Sequence, residues 1–313
     1  MTGSVALERP FELSVVLPLH DHGRHEVLGA LTRQTVPADS YEVLVCNPGE
    51  DIDWDAMLTE AGVRRETGTP TIRRLEADPS GGRAAALNRG IRVATGYIVV
   101  LLADDFVPVP NFLEEHRASH RADPRTHLAA VGPAIFPPEI RSDPFARWIE
   151  DSGVLFGARL ADEPNALPEG FFYGANVSLK RRFLLDDQLF DERLPRHAWD
   201  DYELGRRLFA RGMEVTYLPG ALAWHEHPIT LQERRQTMRW AGEAAAIYDE
   251  IYPAPHPWAT GTDPCESTFE LMVGAQWARG RHFLTRSEAH RIRYWERTLR
   301  RSFISGYRSV AWP

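Results

Sequence analysis

Four short apolar runs, each separated from the next by helical or turn-forming sequence, constrain this chain more than any other feature. "LSVVLPLH" (13–20) reads as a buried strand stopped by Pro18, and "HEVLGALTRQ" (25–34) then places apolar residues at helical spacing. "YEVLVC" (41–46) is a second strand closed by the turn signal "NPGED", and "TIRRLEA" (71–77) is a third. In "GRAAALNRGIRVATG", Ala85, Leu87, Ile91 and Ala94 recur on one helical face, Gly96 supplies the stop, and "YIVVLL" (97–102) is the next strand. Continuous apolar strands alternating with helices imply a mostly parallel α/β sheet covered on both faces, whose ligands bind beyond the carboxyl ends of the strands. That rule puts His20, Asp21, Asn47 and the adjacent acids Asp104 and Asp105 along one rim.

Beyond residue 140 the pattern is less regular. "DDYELGRRLFARG" is an amphipathic helix ending at Gly212, and "EVTYLP" and "ALAWHEH" are strands expected to complete the sheet and supply a second wall. "TLQERRQTMRWAGEAAAIYDEIY" opens on a Thr230-x-x-Glu233 capping box and reads as a long helix. "PAPHPWATGTDP" is a Pro/Gly-rich linker, with further helices expected over 265–313.

Charge narrows the partners. The chain carries a formal charge of -8, yet residues 228–313 hold 12 Arg against 9 acids, which leaves residues 1–227 at -11. An acidic body of this kind argues against nucleic acid, and an anionic ligand would need local Arg, backbone amides or a metal ion. Cys46 and Cys265 lie far apart without zinc or disulfide spacing, the N-terminus lacks a secretory pattern, and no apolar run is long enough to span a bilayer. A cytoplasmic setting is the expectation.

Adjacent carboxylates at a strand end raise each other's cost of ionisation, and a divalent cation resolves that conflict; Mg²⁺ or Mn²⁺ suits such oxygen ligands. Capping of the next turn is the simpler alternative for Asp104 and Asp105. "PSGGRAAALNRG" offers Gly81 and Gly82 before a helix N-terminus, with Arg83 to pair with an anion, although Gly-Gly is also ordinary turn punctuation. Asp200 and Asp201 near a helix start are equally good dipole partners. In "AWHEHP", alternation puts His225 and His227 on one face.

Taken in order, "VVLPLHDH", "EVLVCN", "GGRAAALNRGIRVATG", "VVLLADDFVPVPNFL", "GANVSLKR", "LFDERL", "WDDYELGRRLFARG" and "VTYLPGALAWHEH" resemble the inverting nucleotide-sugar glycosyltransferases of family 2, over roughly residues 11–245. The resemblance implies a GT-A (Rossmann-like) α/β fold, with a mostly parallel central sheet flanked by helices and a helical C-terminal extension. Residues 1–227 would form the catalytic domain, nucleotide-sugar binding over about 11–110 and acceptor and catalytic functions over about 111–227, with 228–313 as the helical segment. It implies that Pro18, His20, Asp21 and Asn47 face the nucleotide, that Arg83 and Asn88 lie near its diphosphate, and that Asp104 approaches the ribose or sugar. Asp105 and His225 would hold Mg²⁺ or Mn²⁺, with His227 in reserve. Gly174, Ala175, Asn176 and Trp199 would line the donor sugar and acceptor. Asp201 would be the general base, with Asp200 beside it.

Gln236, Arg239 and Trp240 form a Q-x-x-R-W pattern resembling that of processive polysaccharide synthases, on one helix face where Arg meets phosphate and Trp stacks on sugar; Trp240 is equally readable as a core anchor. Two departures stand out. Ala103 occupies the place of an acid in many relatives, so weak metal binding is expected, and "CNPGED" replaces an acid-rich strand end, which leaves the base open, with a UDP-sugar as first choice. A catalytically weak sugar-nucleotide or glycan-binding protein and a nucleotidyltransferase are the competing classes. The Arg-rich tail, with Ile292, Trp295, Leu299 and Phe303 near one face, would pack on the body, form a homodimer, or touch an anionic membrane peripherally. The hydroxyl acceptor is not specified by the sequence.

Overall fold

The computed structural model describes residues 11–19, 25–47, 52–63, 68–76, 78, 80, 82–152, 172–194, 199–253 and 287–311. The first half alternates as expected: β1 (Leu13–Pro18), α1 (His25–Leu31), β2 (Tyr41–Asn47), α2 (Trp54–Glu60), β3 (Thr71–Glu76), α3 (Gly82–Val93) and β4 (Ile98–Leu102). There follow β5 (Phe106–Pro108), α4 (Phe112–Ala122), β6 (Leu128–Val131), β7 (Ala134–Ile135), α5 (Pro138–Arg141), α6 (Pro144–Asp151), β8 (Asn176–Lys180), α7 (Arg181–Leu185), α8 (Trp199–Ala210), β9 (Glu214–Tyr217) and β10 (Ala223–His225). The last two helices are α9 (Leu231–Ile251) and α10 (Glu288–Ala311).

The main sheet has seven strands in the order β3-β2-β1-β4-β8-β6-β9, parallel from β3 through β4, with β8 antiparallel to both neighbours. Its central strands β2, β1 and β4 are largely apolar and wholly buried because both faces are covered, whereas the edge strands β3 and β9 are more polar and more exposed. Val16, Leu44, Val99 and Leu101 pack with Leu87 and Ile91 of α3 and Leu204 and Leu208 of α8. Val15, Leu17, Val43, Val45 and Val100 pack with Leu28 and Leu31 of α1 and Phe112 of α4 on the other face. The strand "EVTYLP" joins this sheet as β9, parallel to β6. The "ALAWHEH" strand does not: β10 lies between β5 and β7 in a separate three-stranded sheet.

Thr230 caps α9, its hydroxyl accepting from the Glu233 N–H while the Glu233 carboxylate accepts from the Thr230 N–H. Helices α9 and α10 cross so closely that a Cβ on Gly242 would meet the Phe303 carbonyl, and one on Gly306 would meet the Arg239 carbonyl. The apolar stripe foreseen on α10 is spent here. Trp295 and Leu299 pack with Phe145 and Ile149 of α6, and Phe303 packs with Ala245. Among the described residues, no helix is long and apolar enough to cross a membrane.

A buried polar chain runs beneath β8. Lys180 Nζ donates to the Asp123 carbonyl (2.8 Å) and lies 3.5 Å from His120 Nδ1; His120 Nε2 is 2.9 Å from Ser178 Oγ; His116 contacts Ser178 Oγ through Nδ1 (2.8 Å) and Asn176 Oδ1 through Nε2 (3.2 Å). A lysine at one end can only donate and the Asn176 oxygen at the other can only accept, so each imidazole is neutral with its proton on Nε2. Burial lowers the pKa of His116 to about 3 and of His120 to about 4. The unfolded chain therefore gains protons first as pH falls below about 6.5, and each histidine withdraws about 2 kcal/mol of stability by pH 5. Chemical unfolding at pH 7 and pH 5 is expected to show that loss, and His120→Gln is expected to flatten the dependence.

Candidate functional site

The carboxyl ends of the parallel strands meet the start of α8 at one rim. Hydrogen bonding links the parts: the Ala103 N–H, just past β4, donates to the Ala175 carbonyl (2.9 Å). One residue earlier, the Gly174 carbonyl accepts from Arg83 Nη2 (3.0 Å). Arg83, in the first turn of α3, then reaches the first turn of α8, its Nη1 donating to Asp200 Oδ2 (2.6 Å) and Asp201 Oδ1 (3.1 Å). The sequence-foreseen acids are thus gathered beside the Asp104-Asp105 turn, and the cation expected near a diphosphate sits on the carboxylates.

The two acids of α8 differ in access. Asp200 is 1% exposed and Asp201 is 18% exposed, with Arg83 at 11%. Burial pushes the Asp201 carboxyl up, and the Asp200 charge adds to it; Arg83 and a hydrogen bond from the Gly174 backbone oppose them, and the balance leaves it raised to about 6. Glycine at position 174 leaves room for this ion pair. A Cβ there would lie 2.8 Å from Asp201 Oδ1 and 2.9 Å from Arg83 Nη2.

On the other side of the rim, His225 Nε2 lies 3.0 Å from Asp105 Oδ2. The imidazole is fixed by its sandwich between Phe136 (4.9 Å, stacked) and Phe106 (5.1 Å, tilted), the latter its partner across the small sheet. Burial alone would raise the Asp105 pKa; the hydrogen bond and charge of His225 outweigh it, and the net direction is down. A carboxylate and an imidazole side by side are a donor set that would suit a divalent cation such as Mn²⁺. Among the described residues, no group of three or more His, Cys, Asp or Glu is placed to hold a metal. Asp104 is buried beside the pair, and Ala103 packs against the core, supplying no further ligand.

Other residues of the expected site are already engaged by the protein itself. Asn88 is engaged within the protein: its Nδ2 donates to the Phe190 carbonyl (2.9 Å) and Glu192 Oε1 (2.7 Å), and its Oδ1 accepts from the Phe190 N–H (2.9 Å). Asn176 is equally spent, donating to the Pro133 and Ala221 carbonyls (3.1 and 2.9 Å) while bonded to His116. Trp199 is held by the protein as well; its Nε1 donates to the Ala241 carbonyl (2.7 Å), and its ring packs among Tyr202, Tyr248 and Phe303. It braces the first turn of α8 against α9 and α10. Pro18 and Asn47 end β1 and β2 at the rim, both buried. Gln236 and Arg239 are exposed on α9, Arg239 Nε lying 3.4 Å from Glu243, and Trp240 is half-buried. His20, Asp21, Gly81 and Cys265 lie outside the described residues, as does most of the Pro/Gly-rich linker.

Residues 14–173 match the model described as glycosyl transferase family 2, and residues 97–307 match that of glycosyl transferase family group 2. The chain belongs to glycosyl transferase family 2. This family 2 chain is 28% identical over 227 residues to validoxylamine A glucosyltransferase of Streptomyces hygroscopicus subsp. jinggangensis (strain 5008), covering 65% of this chain and 53% of that protein. It is 24% identical over 266 residues to chondroitin synthase of Escherichia coli, covering 75% and 37%. The chain thus spans about half or less of these curated relatives. Its GT-A fold is shared with a mannosyltransferase from Pyrobaculum calidifontis, solved in complex with GDP-Man and Mn²⁺, at a TM-score of 0.64 and 18% identity over 98% of this chain and 88% of that one. Residues 1–349 of S. aureus TarS match at a TM-score of 0.52 and 14% identity, over 96% and 90%.

The placement of Asn88 makes a test. Asn88→Ala strands the Phe190 backbone groups and Glu192, so it is expected to cost about 3 kcal/mol in urea unfolding. Affinity for UDP, measured calorimetrically under native conditions, is expected to stay within about twofold.

Proposed function

We propose that this chain transfers a sugar from a nucleoside diphosphate sugar, a UDP-sugar first among the choices, to an acceptor hydroxyl with inversion at the anomeric carbon. The observation that carries the reading is the asymmetry of the α8 acids: Asp201 is the accessible member of a buried pair, and its carboxyl is raised to about 6. A group tuned in this way is ionised at neutral pH yet basic enough to take a proton. Family membership supports the reaction class, and the GDP-Man and Mn²⁺ of the Pyrobaculum structure support a nucleotide-sugar donor with a divalent ion.

In this reading the acceptor oxygen attacks the anomeric carbon from the face opposite the diphosphate. The new C–O bond forms as the bond to the diphosphate breaks, and the hydroxyl proton passes to Asp201. Asp105 and His225 would hold Mg²⁺ or Mn²⁺, whose chemistry there is to neutralise the charge that develops on the departing diphosphate. Gly174 and Ala175 lie where the donor sugar would meet the acceptor, and Asp104 beside the ribose or sugar. Gln236, Arg239 and Trp240 stand further along α9 as acceptor contacts.

Asp201→Asn is expected to cut nucleoside diphosphate release by about 10²-fold or more while donor affinity holds; full turnover in that variant would remove Asp201 from the role. A protonated carboxyl cannot accept the hydroxyl proton, so kcat/KM is expected to fall as pH drops through about 6, read from a pH profile of the wild-type chain. With two protein ligands and Ala103 in place of an acid, a thermal-shift panel of nucleoside diphosphates with Mn²⁺, Mg²⁺ or chelator is expected to show modest, metal-dependent stabilisation. Identical shifts with chelator would take the metal out of donor binding.

A further inference from the structure

Arg83 is committed to more partners than an anion-binding arginine awaiting its ligand would be. Its Nη1 donates to both Asp200 and Asp201, its Nη2 donates to the Gly174 carbonyl, and its guanidinium lies 5.9 Å from the centre of the Phe190 ring. Phe190 is itself fastened by Asn88, one helical turn and a half along α3 from Arg83. The guanidinium therefore ties the first turns of α3 and α8 to the segment that crosses the rim beside Asp104.

We propose that Arg83 is the positioning residue of the acid pair, fixing the direction of Asp201 and keeping both carboxylates ionised. This rests on the reading of Asp201 as the base. Two neighbouring carboxylates shielded from water share a proton unless a cation stands between them, and a base that already carries a proton does nothing. Each carboxylate needs an oxygen held by something stiff. The planar guanidinium, anchored through Nη2 on the Gly174 carbonyl, aims Nη1 at both carboxylates, where an ammonium would bring charge without that second anchor.

Among the described residues, three set the electrostatics of Asp201. Asp200 shares its helix, Arg83 comes from α3, and Gly174 contributes its backbone from the rim segment. Glu203, the next acid on α8, is taken by Arg207 at 2.6 Å. Tyr202 and Trp199 on the same helix turn toward Tyr248 of α9. With Arg83 gone, no other cation among these replaces it, and the proton affinity of Asp201 has one direction to move.

The test reads that affinity without needing the acceptor. The full chain is labelled at aspartate side-chain carboxyl carbons, the Asp201 resonance is assigned by its absence in Asp201→Asn, and its titration is followed by NMR in wild type, Arg83→Gln and Arg83→Lys. The midpoint is expected to rise by one pH unit or more in Arg83→Gln, a tenfold gain in proton affinity, and by less in Arg83→Lys, which keeps the charge and loses the fork. A midpoint that stays put in both variants overturns the proposal. Should Arg83→Gln not fold, the same comparison is made with Arg83→Lys and Gly174→Ala, whose added Cβ crowds both partners; unmoved midpoints in this pair are likewise fatal to it. Because the readout is protonation, it separates from the fate of the base assignment, which turnover by Asp201→Asn decides on its own.

Discussion

Strand β1 is paired in parallel on both sides, with β2 from Leu13 to Pro18 and with β4 from Leu13 to Val16, and the rest of the molecule follows from that pairing. Parallel strands require crossover helices, the helices bury both faces, and every carboxyl end emerges at the same rim. The chain then reverses once. In β8, antiparallel to β4, Asn176 stands opposite Leu102, so the segment bearing Gly174 and Ala175 enters the rim from the far side, next to the Asp104-Asp105 turn. Residues far apart in sequence meet there because the sheet register leaves them no other place.

Burial at this rim makes its charges interdependent. The acids of α8 and the acid after β4 are each partly withdrawn from water, and each is matched, Asp200 and Asp201 by Arg83 and Asp105 by His225. The outcomes differ in sign. Asp201 shares one guanidinium with a neighbouring carboxylate and ends with a raised pKa, whereas Asp105 is hydrogen-bonded to His225 and ends lowered. One environment favours a proton acceptor and the other a persistent anion, a division of labour that suits a base on one side and a cation ligand on the other. The C-terminal helices brace the same rim through Trp199, the residue before Asp200, whose indole N–H donates to the Ala241 carbonyl.

Much of this was legible from the sequence because hydrophobic period is a direct imprint of burial. The strands through β4, the α8 and α9 helices and the Thr230 cap fall where the apolar pattern and cap residues put them. What the pattern does not record is the use of a buried polar side chain. Asn88 and Asn176 read as ligand contacts, yet each amide pins neighbouring backbone, and Trp199 serves helix packing. The partner of Arg83 lies 117 residues away, beyond any local rule. The chain from Lys180 to Asn176 did leave a trace: His116 and His120 are one helical turn apart, and Asn176, Ser178 and Lys180 alternate on one strand face, so two polar stripes at matching periods mark a buried network. "ALAWHEH" has the composition of a strand, but composition does not choose between two sheets.

The roles of the two ion pairs depend on where a nucleotide sits relative to them. The most direct measurement is a crystal structure of the chain with UDP and Mn²⁺, using the anomalous signal of manganese. The prediction is a manganese peak against Asp105 and His225, with the diphosphate on it and the Asp201 carboxylate facing the open space beyond the terminal phosphate. A nucleotide bound elsewhere, for instance in the surface groove between α4 and β9 lined by Ser119, Asp123, Glu214 and Thr216, would contradict it.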